Sequence, residues 1–128
     1  MSERFRCERV STFFVGVELA HPQSPERRLR LELLVDTGAT WTLLPAEVVN
    51  ELGLAPSWQR TVTLANGERV TYHSGQVLIK LNDEDLITVF LAGPPGCLPL
   101  LGAVTLEQCG VAPDPVRRTL IPVIGLLA

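Results

Sequence analysis

Apolar and polar positions alternate with a period of two along much of this chain. Phe13, Val15, Val17 and Leu19 alternate with smaller or more polar residues, and Leu29, Leu31, Leu33 and Val35 alternate with Arg28, Arg30, Glu32 and Leu34. That period is the one a half-buried strand needs. Between the two runs, His21-Pro22-Gln23-Ser24-Pro25 reads as a loop. Further on, TVTLA at 61–65 and ERVTY at 68–72 flank Asn66-Gly67. This pair predicts a tight hairpin turn, because both residues tolerate positive φ. Gln76–Leu81 continues as a strand with Val77, Ile79 and Leu81 on one face, Asn82–Asp85 is a polar turn, and Leu86–Ala92 is another strand. Gly93-Pro94-Pro95-Gly96 breaks the chain, Leu98–Leu101 is a short buried strand, and Val116–Val123 is a final strand. Two segments read as short helices. One spans 45–52, with Pro45 at its first helical position and Gly53 just past its end; the other is Ala103–Cys109, stopped by Gly110. Many short strands with one or two short helices predict a mostly β fold, a small closed β-barrel.

Length and composition narrow the class. A chain of 128 residues supports one core, so residues 1–128 are expected to form a single domain. Hydrophobic residues make up 46% and charged residues 20%, a soluble globular balance. The net charge of −3 argues against nucleic acid as a partner, since phosphate binding wants a basic face. Arg27, Arg28 and Arg30, like Arg117 and Arg118, read as solvated strand edges. Met1–Arg9 lacks the apolar stretch of a signal peptide, and no run of about 18 apolar residues spans a membrane. Cys7, Cys97 and Cys109 fit neither a disulfide framework nor a zinc site, which predicts reduced thiols in a cytoplasmic protein. His21 and His73 are isolated, so no metal is expected. Trp41, just after this chain's Gly38-Ala39-Thr40, reads as a core aromatic, with the lining of a substrate pocket as the alternative, and Asp83, Glu84, Asp85 and Asp114 read as turn residues.

One acid stands apart. LELLVDTGATWTLLP places Asp36 directly after an apolar strand, with small residues and then more apolar ones behind it. A carboxylate in such surroundings is costly unless hydrogen-bonded. Gly38 lets the backbone turn tightly and bring an N–H to that carboxylate, and Thr37 offers a hydroxyl to brace the loop. An Asx-type turn ending a strand would use the same residues, but it leaves the apolar frame unexplained.

LLVDTGATWTLLP resembles the active-site loop of retroviral-type, retropepsin-like aspartic proteases, especially bacterial single-domain members. Leu100-Leu101-Gly102 before a helix is similar to that family's late apolar-apolar-glycine element. The resemblance implies the retropepsin-like acid protease barrel and an aspartic endopeptidase with Asp36 as its catalytic acid. Thr37 would brace a dimer beneath the acids, while Gly38 and the Ala39-Thr40 backbone would hold substrate main chain. Asn66, Gly67 and Glu68 would form a flap over an extended peptide, with Leu101 and Gly102 packing behind the active loop. The mechanism uses two carboxylates, one water and no cofactor, and this chain carries a single D-T-G. Its partner would therefore be a second copy, in a homodimer acting on peptide or protein. Position 40 is Thr where retroviral enzymes usually carry an acid, and the flap is less glycine-rich than theirs. His73-Ser74-Gly75 is an alternative turn for its tip. The uncharged run LIPVIGLLA at 120–128 would help form the dimer contact, or else fill a groove on its own subunit. Two rivals remain: a dimerisation or peptide-binding module on the same fold with little or no catalysis, and a protease active only with a partner.

Overall fold

The computed structural model describes residues 12–125. Cys7, the Met1–Arg9 segment and the last three positions of the 120–128 run lie outside the described residues. The strands are β1 (Phe14–Ala20), β2 (Leu29–Val35), β3 (Thr42–Leu44), β4 (Trp58–Thr63), β5 (Arg69–Leu81), β6 (Glu84–Ala92), β7 (Leu100–Leu101), β8 (Val111–Asp114) and β9 (Thr119–Pro122). Two short helices, α1 (Ala46–Glu51) and α2 (Ala103–Gln108), complete the set.

Seven strands form one sheet in the order β1-β2-β7-β3-β6-β5-β4, and β1 also pairs with β5. That last pairing, Glu18↔Lys80 through Ala20↔Leu78, closes the sheet on itself and leaves β4 as an outlying strand on β5. Closure leaves an inside, and the alternation seen in the sequence fills it. Leu19, Leu33, Leu44, Val77, Ile79, Phe90 and Leu101 are fully buried there. The fold is mostly β, as the alternation predicts.

The strand that matters most for the site is the shortest. β7 lies between β2 and β3, parallel to the first through Leu34↔Leu100 and Val35↔Leu101 and antiparallel to the second through Leu43↔Leu100. Residues 36–41 cross from β2 to β3 over the end of β7, so the Asp36 loop sits directly against Leu101-Gly102.

Several local expectations shift for physical reasons. Pro45 is the N-cap of α1, with extended ψ of 156°, one place before the first helical residue. β5 runs unbroken through His73-Ser74-Gly75, so no turn forms there. Gly75 answers a packing need instead, since a Cβ would lie 3.1 Å from the Phe90 ring and 3.2 Å from Pro56 Cα. The hairpin turn is at Asn66-Gly67, but only Gly67 has positive φ, at 90°. Gly67 N–H donates to Leu64 O and Leu64 N–H donates to Glu68 O, closing a three-residue loop. A two-residue turn would slip the β4–β5 register by one and set Val62 against Thr71; the observed register sets it against Val70, on the half-buried face. The two-residue turn with positive φ at both positions is at Asn82 (55°) and Asp83 (65°), so Glu84 and Asp85 belong to β6. The expected strand Val116–Val123 is half of a β8–β9 hairpin, turned at Arg118 with φ of 55°, and Val116 is 90% exposed.

The basic strand edge carries exposed ion pairs. Arg30 faces Glu18 across β1–β2 at 3.4 Å, and Arg28 grips Asp85 at 3.0 Å.

Candidate active site

Asp36 leaves β2 with its N–H donating to Leu101 O at 3.0 Å, a continuation of the parallel β2–β7 ladder. One carboxylate oxygen, Oδ1, accepts from Gly38 N–H at 3.0 Å, and Ala39 N–H returns to Asp36 O at 3.1 Å. The loop is thus an Asx turn, as the simpler reading of the sequence allowed. It is also tied down further along its length. Ala103 N–H donates to Ala39 O at 2.8 Å and Val104 N–H to Thr40 O at 2.9 Å, so the first residues of α2 satisfy loop carbonyls. Gly38 has to be small: a Cβ there would stand 3.2 Å from Asp36 Oδ1 and push against the carboxylate it donates to.

Behind the loop lies a buried hydroxyl relay. Thr105 Oγ1 is 2.7 Å from Thr42 Oγ1 and 2.7 Å from Thr88 Oγ1, and Gly102 N–H donates to Thr42 Oγ1 at 3.2 Å. All three threonines are buried, so these bonds are made in a low-dielectric interior where an unmade bond is costly. Gly102 fits against the Trp41–Thr42 backbone with no room to spare; a Cβ would fall 2.4 Å from Trp41 C and 2.8 Å from Thr42 N. Nothing in the sequence joined Thr42, Thr88 and Thr105, because they are 17 and 63 residues apart along the chain.

Asp36 lies in the wall of a cleft of about 700 Å³. The loop contributes Gly38, Ala39, Thr40 and Trp41; β4 and the start of its hairpin contribute Thr61 through Ala65; β5 adds Tyr72. Asp36 is the only carboxylate in this lining. It is partly exposed, and Thr37 beside it is exposed with no hydrogen-bond partner among the described residues. Of the residues singled out in the sequence, Asp36, Gly38, Ala39 and Thr40 meet in the cleft, and Leu101 and Gly102 lie behind it. Asn66, Gly67 and Glu68 form the hairpin tip but do not line it. There Asn66 bonds Glu68 twice, through Asn66 Nδ2 to Glu68 Oε1 at 2.8 Å and Glu68 N–H to Asn66 Oδ1 at 2.9 Å.

One contributor was assigned elsewhere and two were missed. Trp41, expected in the core, is half-buried in the cleft wall, and Arg60 stacks over it at 5.4 Å. Tyr72 and Val62 face the cleft from neighbouring strands. The alternation Trp58, Arg60, Val62 against Val70, Tyr72, Ser74 would have revealed that face had the register been known. Among the described residues no group of His, Cys, Asp and Glu is arranged to hold a metal, and no helix is long and apolar enough to cross a membrane.

Comparison with known proteins agrees with this geometry. Residues 27–98 match the aspartyl protease family. The fold is similar to that of the EIAV protease complexed with the inhibitor HBY-793, with a TM-score of 0.60 over 77% of this chain and 88% of that one, at 23% identity. No curated protein sequence matches the chain.

Proposed function

This chain belongs to the aspartyl protease family, and from that premise we propose that it is a homodimeric aspartic endopeptidase in which two copies each contribute Asp36. The observation that carries this reading is the solitary carboxylate. The chemistry needs one group to take a proton from water and another to give a proton to the scissile carbonyl. The cleft offers Asp36 alone. A two-fold axis passing beside the loop supplies the second, and two carboxylates held so close share one proton and titrate as a pair.

In this scheme the ionised Asp36 draws a proton from the water as it attacks the peptide carbonyl carbon. The protonated Asp36 of the other copy donates to the carbonyl oxygen. The resulting tetrahedral intermediate collapses with proton return to the departing amine. Gly38 N–H, fixed on Oδ1, orients the carboxylate and leaves Oδ2 for the water and the second acid. Thr37, exposed and without a hydrogen-bond partner among the described residues, would bond its counterpart across the axis.

Substrate binding has a template. β4 ends the sheet order, so one of its edges is open to an added strand, and its residues 61–63 line the cleft. Asn66, Gly67 and Glu68 would cover the peptide if the hairpin bends inward. The β9 end supports the contact between copies: Ile121, Val123 and Ile124 are exposed, Ile124 at 95%, whereas among the described residues of this run only Leu120 packs on the core. This favours an interface over a groove on the same subunit. Pro113 and Pro122 interrupt the donor row of the β8–β9 hairpin, so the contact is made by side chains more than by a shared ladder. The free thiols of Cys97 and Cys109 support a reducing, cytoplasmic setting.

The rival, a peptide-binding module without catalysis, draws on one observation: the hairpin tip does not line the cleft. Replacing Asp36 by Asn separates the two. The amide keeps the shape but cannot act as base, so cleavage of a peptide mixture, mapped by mass spectrometry, should fall by about 10³-fold or more while the fold is kept. Undiminished cleavage by the purified variant rejects the assignment.

A further inference from the structure

Arg28, Arg30 and Arg117 each have a carboxylate within 4 Å. Arg60 has none among the described residues, and it is held by aromatic rings instead. Its guanidinium carbon lies 5.4 Å from the centroid of Trp41 and 5.9 Å from that of Trp58, within cation–π range of both. These are the only two tryptophans in the chain. One ends the active loop and the other begins β4, so the cluster spans the two elements that border the cleft. Trp41 lines the cleft, as does Tyr72, the cross-strand partner of Arg60.

The cluster lacks acceptors. Arg60 is exposed, and no hydrogen bond among the described residues takes up its guanidinium N–H groups. Trp58 Nε1 is buried with no hydrogen-bond partner among the described residues. Both unmet polar groups are donors. A side chain already drawn to two rings also loses less rotamer freedom on taking a ligand. The acceptor that fits a guanidinium fork in geometry and charge is a carboxylate.

We propose that Arg60 is a specificity-determining residue that receives a carboxylate of the bound peptide, either an acidic side chain or a free chain end. The inference rests on the peptide-cleaving role argued above and names a preference within it.

The test uses peptide sets identical except for Glu, Gln or Lys at each position around the cut, with the C-terminus free or amidated. Cleavage is read as the kcat/KM ratio for Glu over Gln. Binding to the Asp36→Asn protein is read by tryptophan fluorescence, which reports on this cluster because both indoles belong to it. At one position the ratio should be about fivefold or more, between the worth of an exposed ion pair and that of a charge-assisted hydrogen bond. It should fall to near one in Arg60→Gln, recover in part in Arg60→Lys, and turn toward Lys-bearing peptides in Arg60→Glu. A purely structural arginine would not produce that reversal. Preference for the free over the amidated terminus, lost in the same variants, identifies the chain end as the source.

A ratio unchanged in Arg60→Gln overturns the proposal, as does altered self-association with the ratio intact. Cleavage without any carboxylate preference sinks this inference and leaves the protease standing. Carboxylate-dependent binding lost in Arg60→Gln, in a protein that cleaves nothing, supports the inference and sinks the protease.

Discussion

The Asp36 loop and the β4–β5 hairpin face each other across one cleft, yet they are held in opposite ways. The loop is fixed from behind. Its backbone bonds run to Leu101, Ala103 and Val104, and its rear wall is the buried relay of Thr42, Thr88 and Thr105. The hairpin from Thr63 to Arg69 is exposed throughout and is held by its own ladder, two backbone bonds across its loop and the Asn66–Glu68 pair. A catalytic carboxylate must be placed within fractions of an ångström, which buried and mutually satisfied bonds provide. A cover over a peptide must open and close, which a lightly held hairpin allows.

Substitutions on the two sides should therefore read out differently. The largest effect is expected behind the loop. In Gly102→Ala the new Cβ meets Trp41 backbone rather than a side chain able to swing away, so stability should drop by about 3 kcal/mol or more, read by urea unfolding. A smaller cost is expected at the hairpin. Gly67→Ala forces a Cβ into φ of 90°, which should cost about 1 kcal/mol, with a rise in KM larger than the stability loss alone explains. Comparable destabilisation at the two glycines, or an unchanged KM in Gly67→Ala, would break the contrast. The smallest effect lies away from both regions, at Arg28–Asp85. The hydrogen bond from Arg28 holds the Asp85 carboxyl below its ordinary value. A depressed carboxylate pKa adds stability that is present above the ordinary Asp range and lost as pH falls below about 4. Asp85→Asn should lower the neutral part of the stability curve slightly, because the pair is exposed, and leave its acid end unchanged, so that the acid limb flattens. A destabilisation that grew toward acid pH would contradict that sign.

The same contrast governs what could be read from the sequence. The loop was legible because its chemistry is contiguous: an apolar strand, an acid, a glycine and a second apolar run leave few ways to fold. Leu101-Gly102 was legible as a motif, but its reason, the contact with the Trp41 backbone, exists only in three dimensions. The threonine relay was illegible because single threonines on three elements carry no local signal. On the hairpin side, Asn66-Gly67 located the turn, but its loop length depended on which face of β4 and β5 is covered. Gly75 was read as a possible turn because packing glycines and turning glycines look alike in sequence. Trp41 was assigned to the core over a substrate pocket because a lone aromatic between two threonines does not show in sequence which way its ring points. Near residue 120, the run Val116–Val123 suggested one strand. Arg118 at positive φ and Val116 in solvent instead mark a hairpin turn.

The central claim is that one cleft needs Asp36 from two copies, and mixing tests it most directly. Wild-type and Asp36→Asn chains are combined in equal amounts at constant total concentration, left to exchange, and assayed on one peptide. If both acids must be intact, only dimers of two wild-type chains cleave, and the mixture retains about one quarter of the wild-type rate, with a quadratic dependence on the wild-type fraction. A rate of one half, falling linearly with that fraction, would mean that each chain works alone and would contradict the shared dyad.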